Sequence, residues 1–165
     1  MEHHEQAVFL ETNLGRQLHW IAAADTKAAF AFTLNTAMLG LLAAVAPRST
    51  ATWTIAPAIF TSFAVALGLA SLLFLSFASF PRTLGPKGSL IYCIGVAQRN
   101  LEQFKQAVTS LTAEAYIDDL AAQCHRNAEI ATRKFTWVQR AILCLYLSVT
   151  PWALALFLLY SAAKA

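Results

Sequence analysis

The sequence predicts an all-α integral membrane protein. It has three transmembrane helices and a cytoplasmic three-helix antiparallel bundle continuous with the first and third spans. Three observations carry this. Hydrophobic residues make up 58% of the 165 residues and charged ones only 13%, about half of the ~25% charged share of a soluble domain. Long stretches contain no charge at all. The remaining Lys and Arg residues are gathered on one side of those stretches. Disorder is excluded by the apolar content, and three cysteines in a chain this long are no disulfide scaffold. The net charge of +3 is too small to argue for nucleic acid, and too few charges are present to coat a soluble catalytic fold.

The charge-free runs are Ala28 to Pro47 (20 residues), Ser49 to Pro81 (33) and Ala141 to Ala163 (23). A helix needs ~20 residues to cross ~30 Å of hydrocarbon, and backbone groups in lipid must pair within their own segment. The spans are therefore placed at 28–47, 55–80 and 141–163. Pro57 stands near the start of the second and Pro151 should bend the third without abolishing it. Arg16, Lys27 and eight Lys and Arg residues between Arg82 and Arg140 lie on one side, against Arg48 and Lys164 on the other. That bias places 1–27 and 82–140 in the cytoplasm and the C-terminus in the periplasm of a multi-pass inner-membrane protein. The first twenty residues are too polar for a signal peptide. Cys93 and Cys124 then face a reducing compartment and Cys144 lies in lipid, so three free thiols are expected.

The cytoplasmic segments repeat a helical apolar pattern. Ala7, Leu14, Ile21 and Ala28 share a column, with Leu18 and Phe32 beside it. PRTLGPKG separates the second span from the next helical segment. Leu90, Ile94, Ala97, Leu101, Phe104, Val108 and Leu111 then read as one helix with a heptad-like stripe. Thr112 is a candidate N-cap for a third helix, with Glu114 in its first turn. Its stripe of Leu120, Cys124, Ala128, Ala131, Phe135 and Val138 runs into the last span without a breaker. The three cytoplasmic pieces contain about 27, 23 and 28 residues, and matched lengths argue for a bundle.

Three blocks carry a family resemblance: DTKA (Asp25 to Ala28) leading into a span, SLIYCIGVAQRNLEQF after the second span, and LTAEAYIDDLAAQCHRNAEIATRKFTWVQRA running into the last. In this order and spacing the chain resembles the transmembrane effectors of Pycsar, the bacterial pyrimidine-cyclase antiphage systems. The resemblance implies an effector that senses cyclic CMP or cyclic UMP made by a partner cyclase. It then impairs the inner membrane and causes abortive infection. It also implies no catalysis and no cofactor beyond the activating nucleotide, with the lipid bilayer as partner and a homo-oligomer forming on activation.

A cyclic mononucleotide carries one negative charge, a flat base and a hydrogen-bonding edge, so its site needs cations, an aromatic face and an amide or carboxylate. Height above the membrane sorts the candidates into a proximal layer with Asp25, Lys27, Tyr92, Arg133, Lys134 and Phe135, and a middle layer with Arg16, His19, Arg99, Asn100, Gln123, Arg126 and Asn127. Lys27, Tyr92, Arg126, Asn127 and Lys134 are the ligand-binding candidates. The plain alternative for Lys27, Arg133 and Lys134 is snorkelling to anionic head groups. Asp25 lies beside an apolar column and should be paired, with Lys134 as partner, in a structural and gating role. Asn35, polar in mid-span, marks internal packing or self-association, as does the small-residue face of Ala64, Gly68 and Ser71. Tyr116 reads as packing and Asp118–Asp119 as a solvated helix face. No metal site, nucleophile triad or phosphate loop is present in the pattern. The rival reading is a non-catalytic membrane scaffold or accessory subunit whose helical stalk docks another protein.

Overall fold

The computed structural model describes residues 2–47, 53–80, 85–86 and 88–162. Every regular element among them is an α-helix: α1 His3–Val45, α2 Ile55–Ser79, α3 Cys93–Ala97, α4 Leu101–Thr109 and α5 Ala113–Ala162. Among these, α1, α2 and α5 are long and apolar enough to cross a membrane. Arg48, Arg82, Lys87 and Lys164, which enter the charge count, and most of the PRTLGPKG linker lie outside the described residues.

The chain packs as two units. One comprises Met1–Ala23 with Pro81–Arg133, the other Ala24–Phe80 with Lys134–Ala165. The dividing points fall inside α1 and inside α5, and both helices run through them.

The second unit holds the three spans. Asp25 meets Lys134 and Met38 meets Trp152, so α1 and α5 run parallel. Asn35 meets Gly68, and Ser71 meets Ala141, which sets α2 antiparallel between them. Small residues line the contact: Ala24, Ala28 and Ala31 of α1, Ala64 and Ser71 of α2, and Ala141 of α5 are all buried. Without a hydrophobic drive between helices in lipid, such close approach supplies the packing energy. At Gly68 an added Cβ would lie 3.0 Å from Leu39 Cδ2 and 3.1 Å from Asn35 Oδ1. Three polar side chains here donate across helices. Asn35 Nδ2 donates to the Gly68 carbonyl at 2.8 Å, Ser71 Oγ to the Ala141 carbonyl at 2.9 Å and Trp152 Nε1 to the Met38 carbonyl at 2.9 Å. Asn35 and the Ala64–Gly68–Ser71 face thus serve internal packing. Helix α5 continues through Pro151, although proline has no N–H to give the Leu147 carbonyl.

The first unit departs from the sequence reading in three ways. The helix expected over Leu90–Leu111 is two short helices, α3 of 5 residues and α4 of 9, so the bundle has no third rod matched in length. The chain breaks because Asn100 closes a capping box with Gln103 (2.8 Å and 3.1 Å), which starts a new helix. Arg99 meanwhile turns back to donate to the carbonyls of Gly88, Ser89 and Gly95 at 2.6, 2.9 and 2.6 Å. On α4, Leu101 and Val108 face outward instead of inward. The buried line of α5 passes through Gln123, Cys124 and Asn127, while Ala128 is exposed. On α1 of this unit, likewise, Gln17 is buried and Leu18 exposed, and in the spanning unit Ala24 is buried and Phe32 exposed. The expected N-cap of α5 is in place: Thr112 Oγ1 accepts from the Ala115 N–H at 3.2 Å.

Candidate functional site

The loop before α3 is built by side chains that replace helical hydrogen bonds. Ser89 Oγ accepts from the N–H groups of Ile91 and Tyr92 at 3.1 and 2.9 Å. Asp119 Oδ2 accepts from the Leu90 N–H at 2.7 Å, fastening the loop to α5. Asp119 is therefore a clamp and only half exposed, not part of a solvated face. The fastening also resets the height of Tyr92. Its ring packs against Gly85, where any Cβ would run into it. Gly85 and Pro86 in turn line a cleft of about 410 Å³ with Ala122, His125 and Arg126 of α5. Tyr92, placed by sequence in the membrane-proximal layer, thus belongs with the middle layer of α5.

This cleft carries cationic and hydrogen-bonding groups that suit an anion. Arg126 brings a guanidinium with five donors in a fixed fork and His125 an imidazole, while the Tyr92 ring packs against Gly85, which forms part of the wall. One edge of Arg126 already holds Glu129, Nη1 to Oε2 at 2.7 Å. That hydrogen bond holds the Glu129 carboxyl below the usual range, its partial burial opposing. Asn127, the neighbouring candidate, points the other way: it is buried and accepts from Gln123 Nε2 at 3.4 Å. Two acceptors in the same unit, Gln17 Oε1 and Gln123 Oε1, are buried with no donor. Arg99 and Asn100 are consumed by the loop and the α4 cap. Nearer the start of α5, the Tyr116 hydroxyl donates to Glu11 Oε1 at 2.6 Å. This bond, with burial and the nearby carboxylates, pushes the phenol above its ordinary value. Burial likewise raises the Cys124 thiol, which donates to the Leu10 carbonyl at 3.4 Å.

The other candidates stand in the spanning unit. Asp25 and Lys134 form an ion pair, Oδ1 to Nζ 2.5 Å, with the lysine side chain 15% exposed. The pairing read from their common depth is present. Lys27 is exposed and lines a separate groove between α1 and α5.

The sequence reading missed His125 and the Gly85–Pro86 wall. A Gly-Pro pair is a generic breaker in sequence. The loop that follows it is fastened to α5 by the Asp119 clamp, a contact between residues distant in sequence.

The sequence model of a family described as the Pycsar effector protein domain, PycTM, matches residues 9–161. No curated protein and no solved structure matches the chain.

Proposed function

Because the chain belongs to the Pycsar effector transmembrane family, we propose that it is a non-catalytic antiphage effector that senses cyclic CMP or cyclic UMP from a partner cyclase and then impairs the inner membrane. The messenger occupies the cleft of Gly85, Pro86, His125 and Arg126. Its phosphate is taken by the guanidinium and its base lies toward Tyr92. The observation that carries this reading is the position of Arg126: it opens on a cleft, and it stands on the helix that also supplies a membrane span.

The cytoplasmic helices form the sensing bundle, with α1 and α5 common to bundle and spans. Ligand binding in the cleft changes the packing against α5. Protomers then associate and the bilayer is breached. Micromolar affinity is ~8 kcal/mol, and shifting a two-state equilibrium from 1:99 to 99:1 takes ~5.5 kcal/mol of preferential binding to the active form. The outward Leu101 and Val108 of α4 favour a second reading, a stalk that docks another protein.

Dye release from liposomes holding the purified protein tests the proposal. Cyclic CMP or cyclic UMP should trigger release, and Arg126→Ala should weaken nucleotide binding ~10-fold or more without altering insertion. Equilibrium dialysis showing no affinity for either nucleotide would instead support the docking reading.

A further inference from the structure

We propose that the groove between α1 and α5 beside Lys27 is a site for one anionic glycerophospholipid, with its phosphate on Lys27 and one acyl chain along the spans. The groove has a volume of about 520 Å³, within the range of small-molecule sites. Its ends differ in chemistry. Lys27 and Thr26 stand at one end, and Phe30, Leu34, Ile142, Leu145 and Tyr146 continue along both helices from there. Lys27 immediately precedes the charge-free run of the first span, which sets its ammonium at head-group depth. From Lys27 to Leu34 is two helical turns, ~10 Å into the hydrocarbon.

The groove's surroundings determine the occupant. Phe30 is 71% and Tyr146 70% exposed, and both stand on membrane-spanning segments, so the groove opens to lipid and its ligand must already be in the bilayer. The charge at its polar end selects among lipids. Asp25, the nearest carboxylate in sequence, is paired with Lys134, and Lys27 takes part in no ion pair among the described residues. A cation left at head-group depth above an apolar furrow fits a phosphate-bearing amphiphile with net negative charge. A zwitterionic lipid would bring its own cation and gain less. This site is independent of the messenger cleft, which lies in the other unit.

The full chain in neutral detergent tests it by native mass spectrometry and thermal melting. Phosphatidylglycerol should be retained through dissociation of the detergent and should raise the melting temperature. Phosphatidylcholine with the same acyl chains should bind ~5-fold more weakly. Glycerol phosphate, the free head group, should do neither. Lys27→Gln should erase the preference between the two lipids, Lys27→Arg should keep it, and Leu34→Trp should reduce retention of both by filling the furrow. Equal retention of the two lipids by the native chain overturns the proposal. So does an undiminished preference in Lys27→Gln, or a shift from glycerol phosphate as large as that from the lipid.

Discussion

In the spanning unit, Asn35, Ser71 and Trp152 each donate to a carbonyl on a neighbouring helix, whereas in the other unit the buried side chains of Gln17 and Gln123 each keep an acceptor oxygen with no donor. Thr61 of α2 is the spanning unit's exception among the described residues. The difference follows from the solvent. Hydrocarbon offers no replacement partner, so a polar group in a span must be satisfied by the protein. Beside water, a buried amide can find its missing donor whenever packing loosens. The polar seam of the first unit is therefore the part of the molecule that can rearrange at small cost. The spanning unit is the part that holds its register.

The sharpest way to break this comparison is to overfill the tighter unit. Gly68→Val puts a branched side chain where even a Cβ meets Leu39 and Asn35 at 3.0 and 3.1 Å, and should cost ~2–3 kcal/mol. Gly15 stands in the other unit, where an added Cβ has nothing within 4 Å, so Gly15→Val should change stability by less than ~0.5 kcal/mol. Denaturant titration of the detergent-solubilised chain measures both. Equal midpoints for the two variants would mean that the α1–α2 contact is not close-packed.

Next in size is one chemical change made in both units. Asn35→Leu removes a satisfied hydrogen bond and leaves the Gly68 carbonyl without its side-chain partner, a loss of ~1–2 kcal/mol. Gln123→Leu removes an oxygen that has no donor but also the Nε2 donation to Asn127 Oδ1 at 3.4 Å, so the two effects offset and the net change should stay within ~0.5 kcal/mol. A clear loss from Asn35→Leu beside a near-neutral Gln123→Leu in the same titration sharpens the contrast, and a loss of similar size from both would erase it. If the polar seam is what moves on activation, Gln123→Leu should also need more messenger for the same dye release.

What was legible in the sequence divides along the same line. A charge-free run of 20 residues has few uses other than crossing a membrane, so the spans were readable from length alone. Asp25 and Lys134 could be paired because continuous helices convert residue number into depth. The first unit was harder to read because apolarity was the only guide to register. The spacing makes Ala128 a core position and Asn127 a ligand-binding candidate, yet Asn127 is buried and Ala128 exposed. Alanine is small enough to sit on either face, and a buried amide leaves no apolar mark. The stripe across Leu90–Leu111 masked the break at Asn100 for a related reason. Asn100 and Gln103 have the residue types of a capping box, a signal hidden by an apolar spacing that α4 does not use for burial. The height of Tyr92 depends on Ser89 and Asp119 fastening a loop, which no local pattern reports.

The smallest expected effect concerns the tie between Tyr116 and Glu11, a hydrogen bond to a charged group at an exposed position. Donation to the carboxylate, the largest cause, raises the phenol above its ordinary value. A proton held more tightly in the folded state than in the unfolded one contributes stability below the ordinary tyrosine value. That contribution is lost as pH rises through the raised one. Tyr116 should therefore titrate later than a free tyrosine, followed by the ring-carbon signal that Tyr116→Phe removes from a spectrum of the labelled chain. Glu11→Gln takes away the acceptor charge and should bring the midpoint back toward the ordinary value, with little change in melting at neutral pH because the tie lies near the protein surface. A midpoint unmoved by Glu11→Gln would assign the shift to burial, and α1 and α5 would then lose this polar contact as a determinant of their register in the first unit.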